Sequence, residues 1–424
     1  MFLPPQRSVA KIQSAKNSMQ TTNFDVLIIG GGAAGFFAAI ACAEANPNLK
    51  IGILERGKEV LNKVRISGGG RCNVTHACFE PSELAKNYPR GGRELLGAFH
   101  RFACSDTVKW FESRGVKLKI EDDGRMFPIS NMSQSIINCL EHSTQKLGIN
   151  VQIGIRVDKM QLVGEHWQLQ TTHHGNFFAK KIMVAAGSST AVWDSLKTLG
   201  HRIIEPVPSL FTFNIKDARL ENLLGLSVPK AKIKVAGVKN LSSEGPLLIT
   251  HWGLSGPAIL RLSAWGARIL AEKKYQFTII VDWLNEDDVT EKLAQIKEKS
   301  PKKLVFSNPQ FALPSRLWEK LVAAANISPT LRWVDLNKQL SQNLYQQLTQ
   351  SEFKATGKSV FKEEFVTAGG VDLKEIDFRT FGSKIHPNLF FAGEILDIDA
   401  VTGGFNFQAA WTGGWIAGQE MAKM

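Results

Sequence analysis

The sequence predicts an α/β fold in which one parallel-sheet domain is built from both ends of the chain and interrupted by an antiparallel insertion. Three observations predict it. Short apolar runs ending in glycine recur at residues 24–30, 181–187 and 388–393, as parallel strands buried on both faces do. The first run leads through an Ala-rich stretch into a second apolar run at 50–55, which makes a β-α-β unit. From about residue 206 the pattern shortens into runs typical of an antiparallel sheet or small barrel.

Taken in order, residues 1–23 carry Arg7, Lys11 and Lys16 and no acid, and are expected to be a flexible tail. Residues 24–29 form a strand. Residues 33–45 form a helix, rich in Ala and broken by nothing but Gly35, and Asn46-Pro47-Asn48 stops it. Residues 133–147 have helical spacing at Ile136, Ile137, Leu140 and Leu147, and 150–171 reads as a strand pair. Strands are expected at 211–215, 230–235, 247–250 and 275–281, then a polar helical stretch at 285–345 with four prolines. Gly256-Pro257 is expected to open a helix. The domain plan is therefore 24–206 and 362–424 as one unit, with 207–284 and 346–361 as the insertion's sheet and 285–345 as a helical piece.

Gly30-Gly31-Gly32-Ala33-Ala34-Gly35 fits G-x-G-x-x-G. The motif alone is weak, but here a strand precedes it, a helix follows, and Glu55 ends the next strand 20 residues beyond Gly35. Gly30 permits the turn, Gly32 lets a pyrophosphate approach, and Gly35 lets helix and strand pack. Ala33 and Ala34 stand at the helix start, whose free N–H groups attract phosphate. Glu55, followed by Arg56, can accept hydrogen bonds from both ribose hydroxyls and would repel a 2′-phosphate. The expected ligand is FAD or NAD.

A second glycine loop, Ser67-Gly68-Gly69-Gly70-Arg71-Cys72-Asn73, can lie flat against a phosphate or a flavin ring. Cys72 is expected to be a packed, inert thiol. Near the C-terminus, Gly393-Glu394 ends a strand, with Asp397 and Asp399 close by. Such an acid can bind ribityl hydroxyls. Thr402-Gly403-Gly404-Phe405-Asn406 then precedes a helix, whose N-terminus can stabilise charge on a reduced flavin.

The stretch from Lys63 to Asn73 resembles the signature of a bacterial flavoprotein family, FAD-dependent oxidoreductases of the aminoacetone oxidase and 3-dehydro-bile acid reductase type. Residues 250–260 resemble that family's insertion motif, and 392–399 with 402–411 its C-terminal FAD motif. The resemblance runs from about Phe24 to the end. It implies a Rossmann-like FAD domain of the two-dinucleotide type, an inserted antiparallel β-barrel and a small helical subdomain. It also implies that 367–371, including Gly370, faces the flavin. Ala186-Gly187-Ser188-Ser189 departs from the family's more glycine-rich turn, and 381–384 departs as well.

The expected function is hydride transfer between flavin N5 and a small organic substrate or NAD(P)H. No second G-x-G-x-x-G follows, so NAD(P)H would bind transiently. His251 is the best titratable candidate for proton donor, against a structural role at a strand end. No metal is expected: His173-His174 has no acidic or cysteine company. Five cysteines without a C-x-x-C pair, and no apolar run of membrane-spanning length, point to a cytoplasmic protein without a membrane partner. The formal charge is +12, of which the three tail cations leave +9. That surplus raises an RNA-modifying flavoenzyme as an alternative, but the basic residues are spread along the chain and nucleic acid is disfavoured. A non-catalytic flavin sensor is the third reading. Oligomeric state is open.

Overall fold

The computed structural model describes residues 22–359 and 366–423. Most of the expected tail lies outside the described residues, and the opening strand, Thr22–Ile29, already includes the last two of them.

The central sheet runs in the order Ile376–Asp377, Gly382–Ser383, Leu389–Phe391, Gly175–Val184, Thr22–Ile29, Ile51–Leu54, Asn150–Gln152. Its middle pairings are parallel. Val26, Leu27 and Ile28 have no exposed surface, because both faces are covered; that is why these strands read as unbroken apolar runs. The sheet draws strands from both chain ends. The expected strand pair at 150–171 is three strands: Asn150–Gln152 extends the parallel sheet, while Val157–Val163 and His166–Thr171 form a hairpin on the early half of Gly175–Val184.

Helix Ala33–Ala45 and the terminal helix Phe405–Met421 cross in close contact. A Cβ on Gly414 would stand 2.7 Å from the Ala34 carbonyl oxygen, and one on Gly418 would stand 2.5 Å from that of Ala38. Small residues on both helices therefore set the spacing, and through it they fix the second chain end onto the first.

Residues 74–128 add elements that the sequence analysis did not assign. They form helices Pro81–Ala85, Gly92–Phe99 and Cys104–Glu112, and a three-stranded sheet of Thr75–His76, Arg125–Pro128 and Leu118–Ile120. Strands of two to four residues are too short to show alternation.

The insertion is a closed barrel of Thr212–Ile215, Gly253–Ser255, Ser242–Thr250, Ser227–Val235, Phe277–Asp282 and Ser351–Ser359. Thr212–Ile215 closes it by pairing on one side with Gly253–Ser255 and on the other with Ser351–Ser359. Helix Pro257–Trp265 starts at its proline as expected and continues after Gly266 as Ala267–Glu272. Helices Val289–Lys299, Ser315–Ala324 and Lys338–Thr349 make the helical piece. The insertion has its own hydrophobic core, separate from that of the sheet domain. Its two connections, Ile203–Ser209 and Val366–Val371, pair antiparallel, so the chain enters and leaves side by side.

The helix contact yields a prediction. Gly418→Ala forces a methyl group against backbone that cannot yield, at a cost of about 2 kcal/mol. Chemical denaturation should show the midpoint falling, whereas an unchanged midpoint would refute the close approach.

Candidate functional site

Three strand ends meet along one edge of the sheet. Gly30 has φ +115°, and a Cβ there would stand 2.3 Å from the Ala185 carbonyl oxygen, so only glycine lets the strand ends touch. This puts Ala186 and Gly187 beside the first glycine turn. Gly35 would place a Cβ 2.0 Å from the Gly30 oxygen, which is the close helix–strand packing expected of the third glycine. Gly32, the N-cap, differs: a Cβ there would meet nothing within 4 Å, and no side chain caps the helix. Space and free N–H groups therefore coincide at the start of Ala33–Ala45. Gly393 closes the edge, since a Cβ on it would lie 3.2 Å from that of Ala34.

Two acids stand at this edge. Glu55 accepts from Gly31 N–H at 2.8 Å and from Gly57 N–H at 2.7 Å, which braces the glycine turn, while Arg56 is exposed beside it. Each carboxylate oxygen keeps a lone pair for a ribose hydroxyl. Glu394 is paired with Lys63 and stands near Gly187.

The second glycine loop follows a short helical turn from Asn62. Ser67 is extended, and Gly68, Gly69 and Gly70 are all left-handed. Cβ atoms on Gly69 and Gly70 would meet nothing within 4 Å, so this backbone lies bare. Its far end is anchored. Arg71 donates to Glu121 at 2.6 Å and lies 3.9 Å over the Phe127 ring. Cys72 is buried, and burial pushes its thiol up to about 12, far from a reactive thiolate. With its amide turned to suit both neighbours, Asn73 donates to the Thr75 carbonyl at 3.0 Å and accepts from Gly404 N–H at 2.9 Å. The loop is thereby locked to the start of Phe405–Met421. Gly404 is required there, because a Cβ would stand 2.6 Å from the Thr75 oxygen. This N-terminus also lacks a side-chain cap.

Four expected residues do other work. Asp399 is fully buried in a bidentate pair with Arg90 and accepts from Ser209 Oγ at 2.7 Å, so it is not an open strand-end acid. Asn406 turns its amide onto the backbone of Ala400, at 2.9 and 3.2 Å. Gly370 makes its close approach to Ile395 and Leu396 rather than to open space. His251 is exposed in the turn between Ser242–Thr250 and Gly253–Ser255, with its ring 5.5 Å from Trp252. Among the described residues no hydrogen bond joins it to the glycine loops.

His76 is the residue the sequence reading missed. Its ring stacks on Phe405 at 4.6 Å, and a Cβ on Gly403 would lie 3.3 Å from its Cδ2. Nε2 lies 3.1 Å from the Asp123 carbonyl oxygen, which fits a proton on that nitrogen. Nδ1 is buried and has no partner among the described residues. Burial holds the imidazole below its ordinary value and so favours the neutral form. The available signal was its position, three residues after Asn73.

A family model described as the HI0933-like protein Rossmann domain matches residues 24–420. The chain belongs to that family. Over 410 residues it is 27% identical to the ribosomal RNA dihydrouridine synthase of Escherichia coli, covering 94% of this chain and 98% of that protein. It is 26% identical over 408 residues to the 3-dehydro-bile acid delta(4,6)-reductase of Clostridium scindens, covering 93% and 98%. The fold is shared with a 3-ketosteroid-delta4-(5alpha)-dehydrogenase of Rhodococcus jostii, at TM-score 0.53 and 13% identity over 97% of this chain and 99% of that one. The protein is an FAD-dependent oxidoreductase. The open space at Gly32, Gly69 and Gly70 and the two uncapped helix starts fit that cofactor. Among the described residues no group of acids, histidines and cysteines is placed to hold a metal, and no helix is long and apolar enough to cross a membrane.

Two predictions follow from the packing. Gly32→Ala should leave the melting temperature of the apoprotein unchanged and weaken FAD binding at least tenfold in fluorescence titration, whereas Gly35→Ala should lower the melting temperature itself. Equal melting temperatures would contradict the assigned roles. For His76, the unfolded chain takes up a proton below 6.5 that the folded residue resists. Its contribution to stability is therefore full above 6.5 and is lost as pH falls through the lower folded value. Melts of wild type and His76→Asn should converge on acidification, and a constant gap would remove the assignment.

Proposed function

We propose that this enzyme is a reductase that saturates a carbon–carbon double bond conjugated to a carbonyl, with reducing equivalents entering from NADH or NADPH. The observation that carries it is the locked cradle: a bare glycine loop joined through Asn73 to an uncapped helix start at Gly404. The names of the two relatives support it. A 3-oxo group conjugated to a 4,6-diene and a uracil C5=C6 bond beside C4=O are both alkenes made electrophilic by a carbonyl. Hydride adds to the β-carbon, charge passes to the carbonyl oxygen, and a proton goes to the α-carbon.

Bound FAD supplies the two-electron hydride chemistry. The chain's own groups bind, orient and move protons. The N–H groups at the start of Ala33–Ala45 would bind the pyrophosphate, Glu55 would accept from the ribose, and Glu394, held by Lys63, would accept from ribityl hydroxyls. The start of Phe405–Met421 would offer partial positive charge to the flavin ring. His76, stacked on Phe405 with its Nε2 proton directed at the Asp123 carbonyl, is a second titratable candidate beside His251, and the one nearer the start of Phe405–Met421.

Anaerobic mixing with NADH and with NADPH, followed at the flavin absorbance band, tests the reading. One of the two should bleach the band, and an α,β-unsaturated ketone or free uridine should restore it faster than dioxygen does. Bleaching by neither, with rapid reoxidation by dioxygen after chemical reduction, would identify an oxidase instead.

A further inference from the structure

The insertion holds most of the positive surplus. Residues 207–361 contain 21 Lys and Arg against 13 Asp and Glu, whereas 24–206 and 362–424 together contain 27 against 26. One of these cations, Lys358, is half-buried. It stands opposite Phe213 where Thr212–Ile215 pairs with Ser351–Ser359, and opposed residues share a face. Phe213 has no exposed surface, so the lysine leaves the barrel wall on its apolar side. Its ammonium lies 4.8 Å from the centre of the Tyr275 ring. Among the described residues it has no carboxylate partner, and burial holds it below its ordinary value.

The Tyr275 hydroxyl is equally unengaged among the described residues, and burial holds it above its ordinary value, so at neutral pH it keeps its proton. The ring meets Phe211 edge-on, with centroids 5.5 Å apart. Its backbone is strained. Lys274 and Tyr275 have φ +52° and +58°, which large side chains avoid. Lys274 N–H donates to the Ala271 carbonyl at 2.8 Å and Tyr275 N–H to that of Leu270 at 2.9 Å, which ends the helix Ala267–Glu272. That closure accounts for a left-handed residue at Lys274 but not for a second one at Tyr275.

The pair stands where the insertion meets the cofactor unit. Phe211 is two residues from Ser209, a span of at most about 7 Å, and the Ser209 hydroxyl donates to Asp399 at 2.7 Å. Phe211 N–H donates to Ser263 Oγ at 2.9 Å, next to Ala264, whose carbonyl accepts from Arg90. Tyr275 follows the helix whose Arg268 donates to Asp397 at 3.2 Å. Residues 397–399 lead into the Thr402–Asn406 turn of the cradle. Ligand sites are preferentially built at such junctions between folded units.

We propose that the Tyr275 hydroxyl donates to the carbonyl oxygen of the substrate, with Lys358 holding the ring and placing positive charge beside it. This assignment rests on the reductase reading and names the group that meets the developing oxyanion. Hydride addition at the β-carbon moves the alkene pair onto the carbonyl oxygen. A proton delivered to the α-carbon then restores the carbonyl and completes the two-electron reduction. The oxygen is most negative between those two events, and a donor already in place there lowers the barrier without having to reorganise. Tyr275 is the catalytic residue in this scheme, and Lys358 is a positioning residue that acts through it.

The test uses the FAD-loaded full chain in its oxidised form and 4-nitrophenol, a planar ring whose ionised oxygen stands in for the enolate. Difference spectra read its binding and its ionisation together. Wild type should bind it and lower the pH at which it ionises by about one. Tyr275→Phe should weaken binding about tenfold. Lys358→Met should return the ionisation to that of the free phenol, and Lys358→Arg should keep most of the shift, which a merely structural lysine would not do. Visible spectrum and melting temperature check that each variant is folded and loaded. No binding by wild type, or a Tyr275→Phe or Lys358→Met variant that matches wild type, would overturn the proposal. A second measurement reduces the flavin with dithionite and mixes it anaerobically with 2-cyclohexen-1-one. Reoxidation should slow about a hundredfold in Tyr275→Phe, and equal rates would overturn the assignment as well. An enone that fails to reoxidise wild type would sink the reductase reading, while the phenol titration still decides whether the pair binds an oxyanion.

Discussion

The buried pair of Arg90 and Asp399 holds four separate stretches of chain in one place. Arg90 follows the early helices of the sheet domain, Asp399 belongs to the returning C-terminal part, and Ser209 and Ala264 belong to the insertion and its connection. One guanidinium binds the carboxylate with two N–H groups and also reaches the Ala264 carbonyl, while Ser209 donates to the same carboxylate. Burial raises the Asp399 carboxyl, and Arg90 and Ser209 act against that rise. Loss of either charge would leave the other buried and uncompensated, a loss of about 3–5 kcal/mol. Asp397 and Arg268 repeat the arrangement beside it. The insertion is thus fixed to the cofactor domain by directional charge and hydrogen bonds, alongside apolar contact from Ala264, which is buried in the sheet domain's core.

Glycine serves three distinct purposes in the cofactor cradle. At Gly30, Gly35 and Gly404 it lets backbones touch. At Gly32, Gly69 and Gly70 it leaves room. At Gly414 and Gly418 it sets the distance between two helices. The first and third purposes build the edge, and the second leaves it open to a ligand. A buried polar network braces the same helix from behind: Gln408 accepts from Thr75 at 2.6 Å and Thr107 at 2.9 Å, and Trp411 donates to the Val74 carbonyl at 2.9 Å. Thr75 opens the strand that follows the second glycine loop and Val74 directly precedes it, so the network sets the height of the loop against the helix.

Much of this was legible from sequence where the cause is local. The strand–glycine–helix run at 24–45, the acid at Glu55 and the proline start at Pro257 each depend on neighbours within a few residues. The bare glycines at 69 and 70 were legible for the same reason. Asp399 was not: its sequence setting looks like a strand-end acid, and only Arg90, more than 300 residues away, removes it from the ligand side. Asn406 is a nearer case, drawn onto Ala400 by a turn that has no sequence signature. His76 lay hidden because a two-residue strand carries no period, and its partners, Phe405 and Asp123, come from distant segments.

The charge surplus shows the same division. Composition fixed the charge of +12, and the order of residues predicted a globular α/β chain with a dinucleotide grip near its start, because glycine spacing and apolar runs are set by adjacent residues. Only the tertiary structure decided where the surplus sits, that the barrel closes, and which acids remain free to meet a ligand. Barrel closure, ion pairing and exposure depend on contacts between residues far apart in sequence, and no local pattern encodes those.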